Sequence, residues 1–168
     1  MDQDYAASFD MIVNDETRIL ILGAVPGRAS LAVGEYYAHK RNAFWHIMKI
    51  YASQKNIVMG DDYQSRIQIL LAMNIGLWDV INNCSRVGSL DKNIKNPKLQ
   101  NFEIFFEKYP RIEKILLNGA GAYDNFIKVT KSMNLDSKQI VKMPSTSPAN
   151  AQMSLQDKCD LWLAVLQS

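Results

Sequence analysis

Short apolar runs alternate along this chain with longer stretches whose apolar residues recur every three or four positions. Residues 18–23 (Arg-Ile-Leu-Ile-Leu-Gly) are apolar without alternation and end on glycine, as expected for a strand buried on both faces. Residues 113–119 (Glu-Lys-Ile-Leu-Leu-Asn-Gly) repeat that form, and residues 139–143, stopped by Pro144, predict a third strand. A weaker fourth candidate covers residues 77–81, Leu-Trp-Asp-Val-Ile. Between these runs the period becomes helical. Phe44, Ile47, Met48 and Tyr51 fall at i, i+3, i+4 and i+7, on one helix face. Phe102, Phe105, Phe106 and Tyr109 repeat that spacing, with Pro110 as the stop. Leu155, Cys159, Trp162, Leu163 and Leu166 predict an amphipathic C-terminal helix, opened by Ser154 and Asp157 as a capping box. Tyr63, Ile67, Leu70 and Leu71 predict one more helix, and Ala122, Phe126 and Val129 another.

Strands that alternate with helices imply a parallel sheet packed between helices. The expected fold class is α/β, a three-layer α/β/α sandwich around a central, mainly parallel four-stranded sheet. No repeat, low-complexity tract or linker divides the chain, so residues 1–168 are read as a single domain, of a length that can bury a real core. Such sheets bind ligands where loops leave the carboxyl ends of the strands. The loops after Leu22, Leu117 and Met143 are therefore the places to look for chemistry.

Composition excludes more than it assigns. At 48% hydrophobic and 21% charged, the chain is globular rather than disordered. Nineteen Lys and Arg against 17 Asp and Glu give a formal charge of +2. That excludes a polybasic arm and leaves room for a local basic face. Two cysteines (Cys84, Cys159) and two histidines (His39, His46) cannot build a disulfide framework, a CxxC zinc site or a four-cysteine iron–sulfur cluster. No metal and no cofactor are expected. The N-terminus is acidic, without the basic region and apolar run of a signal peptide, and no apolar run nears the roughly 18 residues of a membrane span. A cytoplasmic protein with no membrane partner, and a monomer, is the expectation.

The first loop, residues 23–27, reads Gly-Ala-Val-Pro-Gly and is followed by Arg28-Ala29-Ser30. Its spacing fits neither a dinucleotide fingerprint nor a P-loop. Gly23 and Gly27 permit a tight turn with exposed backbone N–H groups, and Pro26 stiffens it. A plain strand-ending turn has the same composition. Residues 35–45 form the densest polar and aromatic segment. His39, Lys40 and Arg41 stand beside Tyr36 and Tyr37, the pairing of phosphate-holding cations with base-stacking rings that a splayed nucleotide requires. Two core tyrosines beside a solvated basic turn fit the same residues. Asn42 directly precedes a predicted helix and suits an N-cap as well as a catalytic amide. Asn118, at a strand's carboxyl end, can point its amide into the crevice or cap the next helix. In the third loop, Ser145, Thr146, Ser147, Pro148 and Asn150 suit a rigid turn approaching a phosphate backbone, and equally a polar surface turn.

Taken together, these segments resemble the uracil-DNA glycosylase superfamily. The nearest resemblance is to its hypoxanthine (deoxyinosine) DNA glycosylase branch, with the mismatch-specific uracil/thymine glycosylases next. Residues 23–27 resemble the first superfamily motif, G-x-x-P-G. Residues 36–45 are similar to the aromatic-A-H-P-x-N-x-F-W segment, with Lys40 where proline is usual. Residues 144–150 fall where the minor-groove loop of the second motif belongs. The first motif here carries Ala24 and Val25, without the Asp or Asn that positions water in other branches. In the hypoxanthine branch that role is assigned to the asparagine of the aromatic-A-H segment, here Asn42.

The resemblance implies a monofunctional DNA glycosylase that flips a deaminated base out of DNA, hydrolyses its N-glycosidic bond and leaves an abasic site. Hypoxanthine is the expected base, with uracil as an alternative. Gly23, Ala24, Pro26, Gly27, Tyr37, His39 and Asn118 are then expected to bind the flipped nucleotide, with Tyr37 stacking on the base. Ser30, Lys40, Arg41, Ser145, Thr146, Ser147, Pro148 and Asn150 are expected to meet the DNA, and Asn42 to be catalytic. A fixed Asn118 amide could accept from N1–H and donate to O6 of hypoxanthine, a pair that adenine lacks. The rival from another class is a non-catalytic binder of flipped or single-stranded nucleotides on the same fold.

Overall fold

The computed structural model describes residues 4–168. Strand β2 (Ile19–Gly23) stands inside a parallel sheet between β3 (Ile75–Asp79) and β6 (Lys114–Asn118), with β7 (Gln139–Met143) beyond β6. The register pairs Leu20 with Gly76 and Ile115, and Ile115 with Ile140. All three pairings are parallel, so four strands run the same way and end along one edge.

Side chains alternate across this sheet, and each face takes its own helices. Ile21, Leu77 and Leu116 face a core built with α2 (Phe44–Gln54), α3 (Tyr63–Ala72) and α6 (Leu155–Gln167). Leu20, Leu22, Ile115 and Leu117 face the other, with α4 (Phe102–Lys108) and α5 (Ala120–Val129). The predicted helical stripes are the buried residues: Phe44, Ile47, Met48 and Tyr51 in α2, and Phe102, Phe105 and Phe106 in α4. The predicted capping box is formed, with the Ser154 hydroxyl accepting from the Asp157 N–H and the Asp157 carboxylate accepting from the Ser154 N–H. The three-layer sandwich and its four-stranded parallel sheet are as expected.

Two features differ from the sequence reading. The fourth strand spans residues 75–79 rather than 77–81, because the chain breaks away at Val80. There the Val80 and Ile81 N–H groups donate to the Gly23 and Ala24 carbonyls, at 2.8 and 3.0 Å, instead of extending the strand. The chain then enters β4 (Ile81–Arg86), the centre of a second, antiparallel sheet with β1 (Asp4–Ala7) and β5 (Ile94–Leu99). Strand β5 lies at the edge, where Pro97 can sit without breaking a ladder. The exposed edge of β3 is shielded by a bridge between Leu77 and Ile12, each N–H donating to the other's carbonyl at 2.9 Å. Among the described residues no helix is long and apolar enough to cross a membrane.

Candidate functional site

A cleft of about 760 Å³ opens at the carboxyl edge of the parallel sheet. That volume lies within the roughly 300–1,000 Å³ common for small-ligand sites. All four parallel strands deliver their last residue to its wall: Gly23, Asp79, Asn118 and Met143. Convergence of strand ends follows from the parallel topology, and it brings together residues up to 120 positions apart.

The first loop is held rigidly. Arg86, only 2% exposed, donates through Nη2 to the Pro26 carbonyl and through Nε to the Gly88 carbonyl. Gly27 opens helix α1 (Arg28–Val33). A side chain at Gly23 would not fit, since its Cβ would lie 2.8 Å from Asp79 Oδ1 and 3.4 Å from the Tyr37 hydroxyl. Gly23 is therefore needed for the approach of those two oxygens. Ser30 reaches the cleft but is buried, and its hydroxyl accepts from the Ala38 N–H at 3.1 Å. That hydroxyl braces the following segment rather than facing solvent.

In that segment Trp45 Nε1 donates to the Tyr36 carbonyl at 2.9 Å, fixing the vicinal tyrosines onto the first turn of α2. Tyr37 has φ of +55°, a left-handed conformation that a residue with a Cβ adopts only under restraint. Its ring stacks on Phe44, with centroids 4.1 Å apart and planes at 25°, and it lines the cleft. Burial pushes the Tyr37 phenol above its ordinary value, the Asp79 charge adds to this, and the Asn118 side chain opposes it. The Tyr37 hydroxyl nevertheless has no partner in hydrogen-bonding geometry among the described residues. His39 lies on the cleft wall, with Nδ1 accepting from the Arg41 N–H at 3.1 Å. Lys40 and Arg41 are exposed and stand outside the cleft wall. The helix begins one residue later than the sequence suggests, so Ala43 rather than Asn42 is its N-cap, and it makes no side-chain cap bond. Asn42 Oδ1 instead accepts from the Phe44 N–H at 3.0 Å in the turn before the helix, and the residue also lines the cleft.

Asn118 is 8% exposed and locked in a reciprocal pair. Its Nδ2 donates to Thr146 Oγ1 and its Oδ1 accepts from the Thr146 N–H, both at 3.0 Å. Thr146 thus takes the edge of the amide on which one donor and one acceptor lie side by side. The expected two-point contact of Asn118 with N1–H and O6 is not open in this arrangement. One remaining N–H and one lone pair can each make a single contact. Thr146 itself is fully buried and serves the amide, so its hydroxyl does not face DNA. The rest of its loop is pinned from behind. Trp162 Nε1 donates to the Pro144 carbonyl at 2.9 Å and Lys158 Nζ to the Ser147 carbonyl at 3.0 Å. The Thr146 carbonyl accepts from the Ala43 N–H at 3.0 Å. Ser145, Ser147, Pro148 and Asn150 line the cleft mouth, and Asn150 Nδ2 donates to the Ser145 carbonyl at 3.1 Å.

The wall also takes residues that no sequence motif marks, among them Asp79, Ser89, Leu90 and Asp91. Ser89 Oγ accepts from the Arg28 N–H at 2.9 Å and so ties the β4–β5 connection to the first loop. Asp79 is the consequential one. It is 3% exposed, and burial pushes its carboxyl up to about 7, the Ser8 hydroxyl and the Arg86 charge lowering it and the Asp91 charge raising it. A carboxyl that binds its proton more tightly when folded costs stability as pH rises from the unfolded value, 3.8, through about 7. At about 1.36 kcal/mol per pKa unit, the loss is on the order of 4 kcal/mol. Asp79→Asn is therefore expected to gain stability relative to the parent as pH rises from 4 to 8. Urea unfolding of both proteins across that range measures the difference. A constant difference would mean that Asp79 is not held protonated by the fold.

Fold and cleft together define an α/β protein with a crevice at the carboxyl edge of its parallel sheet. The chain belongs to the uracil DNA glycosylase superfamily, whose family model matches residues 11–167. It is 31% identical over 161 residues to a hypoxanthine DNA glycosylase of Methanosarcina barkeri, covering 92% of this chain and 93% of that protein. A hypoxanthine DNA glycosylase of Methanosarcina acetivorans is also 31% identical over 161 residues, covering 95% and 96%. A solution NMR structure from Methanosarcina acetivorans, described as a candidate uracil DNA glycosylase, superposes with a TM-score of 0.81 at 27% identity. It covers 98% of both chains.

Proposed function

We propose that the protein is a monofunctional DNA glycosylase that flips hypoxanthine out of DNA, hydrolyses its N-glycosidic bond and leaves an abasic site. The observation that carries this reading is the cleft, where the first loop, Tyr37, Asn42, Asn118 and the third loop meet. Its similarity to hypoxanthine DNA glycosylases over more than nine-tenths of the chain supports the choice of base. A base stacked in a duplex cannot enter a crevice walled by strand ends, so it must be extruded. Extrusion costs a few kcal/mol and is easiest at a mispaired or damaged position.

In this reading Tyr37 stacks on the flipped base, and Asn118 makes one hydrogen bond to it rather than two. Gly23, Ala24, Pro26 and Gly27 border the nucleotide, with His39 beside it. Ser145, Ser147, Pro148 and Asn150 approach the flanking phosphates at the mouth, and Lys40 and Arg41 supply charge from outside. Asn42 is the catalytic amide. An amide is no strong base, so it acts by orienting water below the sugar C1′ and stabilising the positive charge that develops there.

A panel of oligonucleotides bearing hypoxanthine, uracil, xanthine or mismatched thymine tests the assignment, with free base measured by chromatography. Hypoxanthine is expected to be released fastest. Faster release of uracil or thymine would move the protein to the pyrimidine-specific branches. Tyr37→Ala is expected to weaken lesion binding by roughly 1–3 kcal/mol, the worth of one base–aromatic stack, with Tyr37→Phe restoring it. Titration of fluorescent lesion DNA measures this, and equal affinities for all three proteins would remove Tyr37 from the base site.

A further inference from the structure

The first loop of this chain, Gly-Ala-Val-Pro-Gly at residues 23–27, offers no carboxylate. A carboxyl group reaches the cleft by another route. Strand β3 lies beside β2 in parallel register, with Asp79 paired to Gly23, so its last side chain arrives at the root of the same loop. A Cβ on Gly23 would lie 2.8 Å from Asp79 Oδ1 and 3.4 Å from the Tyr37 hydroxyl, so both oxygens border the root of the loop. We propose that Asp79 is the acid that protonates the departing purine, an assignment that rests on the glycosylase reading of this cleft.

The surroundings of Asp79 suit both of its protonation states. Ser8 Oγ lies 3.1 Å from Asp79 Oδ2 and 3.1 Å from the Phe9 carbonyl. When Asp79 is ionised, the single Ser8 hydrogen can turn to the carboxylate. When Asp79 is neutral, Oδ2–H can donate to Ser8 while the Ser8 hydrogen turns to the Phe9 carbonyl. Neither state leaves Oδ2 unpartnered, so the proton can leave and return without a buried orphan. The charged and titratable groups around it come from four segments. Tyr36 and Tyr37 follow α1, Arg86 ends β4, Asp91 lies at the start of the 3-10 turn Asp91–Asn93, and Ser8 follows β1. Burial holds the Asp79 carboxyl up at about 7, where it can carry a proton into the reaction near neutrality. Both tyrosines are pushed above the ordinary phenol value by burial and are poor donors in that range.

The step balances with water as the only co-reactant. The C1′–N9 bond breaks and its electron pair stays with the base. The Asp79 proton passes to a ring nitrogen or O6 of that base, so that neutral hypoxanthine departs. The water oxygen held by Asn42 bonds to C1′ and loses a proton, which returns to Asp79 through solvent. Asp79 neutralises the negative charge building on the purine, whereas Asn42 acts on the positive charge at the sugar. The two residues thus divide the transition state between them.

Single-turnover release of hypoxanthine from DNA, followed from pH 5 to 9 for the parent, Asp79→Asn and Ser8→Ala, tests the assignment. The parent rate is expected to fall about tenfold per pH unit above about 7. Asp79→Asn is expected to be about 10²-fold slower at pH 6, and to lose that falling limb while lesion DNA still binds. Ser8→Ala removes the contact that favours the charged carboxylate, so its limb should move to higher pH. That shift decides the matter even if Asp79→Asn folds poorly. A limb that persists unchanged in both variants would assign the proton to another group, His39 first, and overturn the proposal. A parent protein without release at any pH would instead refute the glycosylase reading, and the acid assignment with it.

Discussion

Asn42→Ala is expected to slow single-turnover release of hypoxanthine by about 10²-fold or more, with lesion DNA still bound. Removing one preorganised group that stabilises transition-state charge costs on the order of 10²–10³ in rate. The same substitution also removes the Oδ1 that accepts from the Phe44 N–H, so it should lose about 1 kcal/mol of stability with that hydrogen bond. The two effects separate with Asn42→Ser, whose hydroxyl can keep the bond to the Phe44 N–H but cannot reach as far into the cleft. Rapid-quench kinetics beside thermal melting gives the comparison. Asn42→Ser should melt near the parent and remain slow. A serine variant that recovers both melting temperature and rate would reduce Asn42 to a brace for the turn before α2.

Asn118→Ala is the second substitution with a large expected effect. It leaves the Thr146 N–H and hydroxyl without their partners in a fully buried place, at a cost of roughly 1–3 kcal/mol. It also frees the third loop, whose position depends on that pair, so base release should fall more than tenfold. Thr146→Val, which removes only the hydroxyl acceptor, should cost less stability. It should also loosen discrimination between hypoxanthine and adenine by letting the amide turn. Urea denaturation and paired binding titrations on the two DNAs measure both quantities. An Asn118→Ala protein as stable and as active as the parent would show that the reciprocal pair positions nothing.

The fold was legible where local pattern and tertiary burial agree. The runs at residues 18–23 and 113–119 are apolar because both faces of the parallel sheet are covered, and the stripes of α2, α4 and α6 face those strands. The second sheet was not legible. Strand β4 is largely polar, β5 carries two lysines and a proline, and β1 has only four residues, so none shows a usable alternation. The site was legible through its loop composition, and 14 of the 16 residues expected there line the cleft.

What sequence concealed is a matter of two positions. Reading the fourth strand as residues 77–81 places Asp79 in mid-strand, where a carboxyl has no evident use. With the strand at Ile75–Asp79, the same residue is the carboxyl end of a parallel strand, where ligands bind. The Val80 N–H bond to the Gly23 carbonyl sets that boundary, and no local pattern announces a contact across 57 residues. The Asn118–Thr146 pair was hidden for a similar reason. Each residue alone suits a loop, and only the pairing of β6 with β7 brings them together. The tie also changes the chemistry, because an amide held by Thr146 offers the base one contact where a free amide would offer two.

The proposed function requires this cleft to break the N-glycosidic bond of hypoxanthine. Purified protein incubated with end-labelled DNA carrying a single hypoxanthine, then treated with alkali, tests it most directly. Cleavage at the lesion is expected after alkali, and none before it. Retarded DNA on a native gel with no alkali-labile site, for hypoxanthine or uracil in single or double strands, would contradict it and leave a binder on a glycosylase fold.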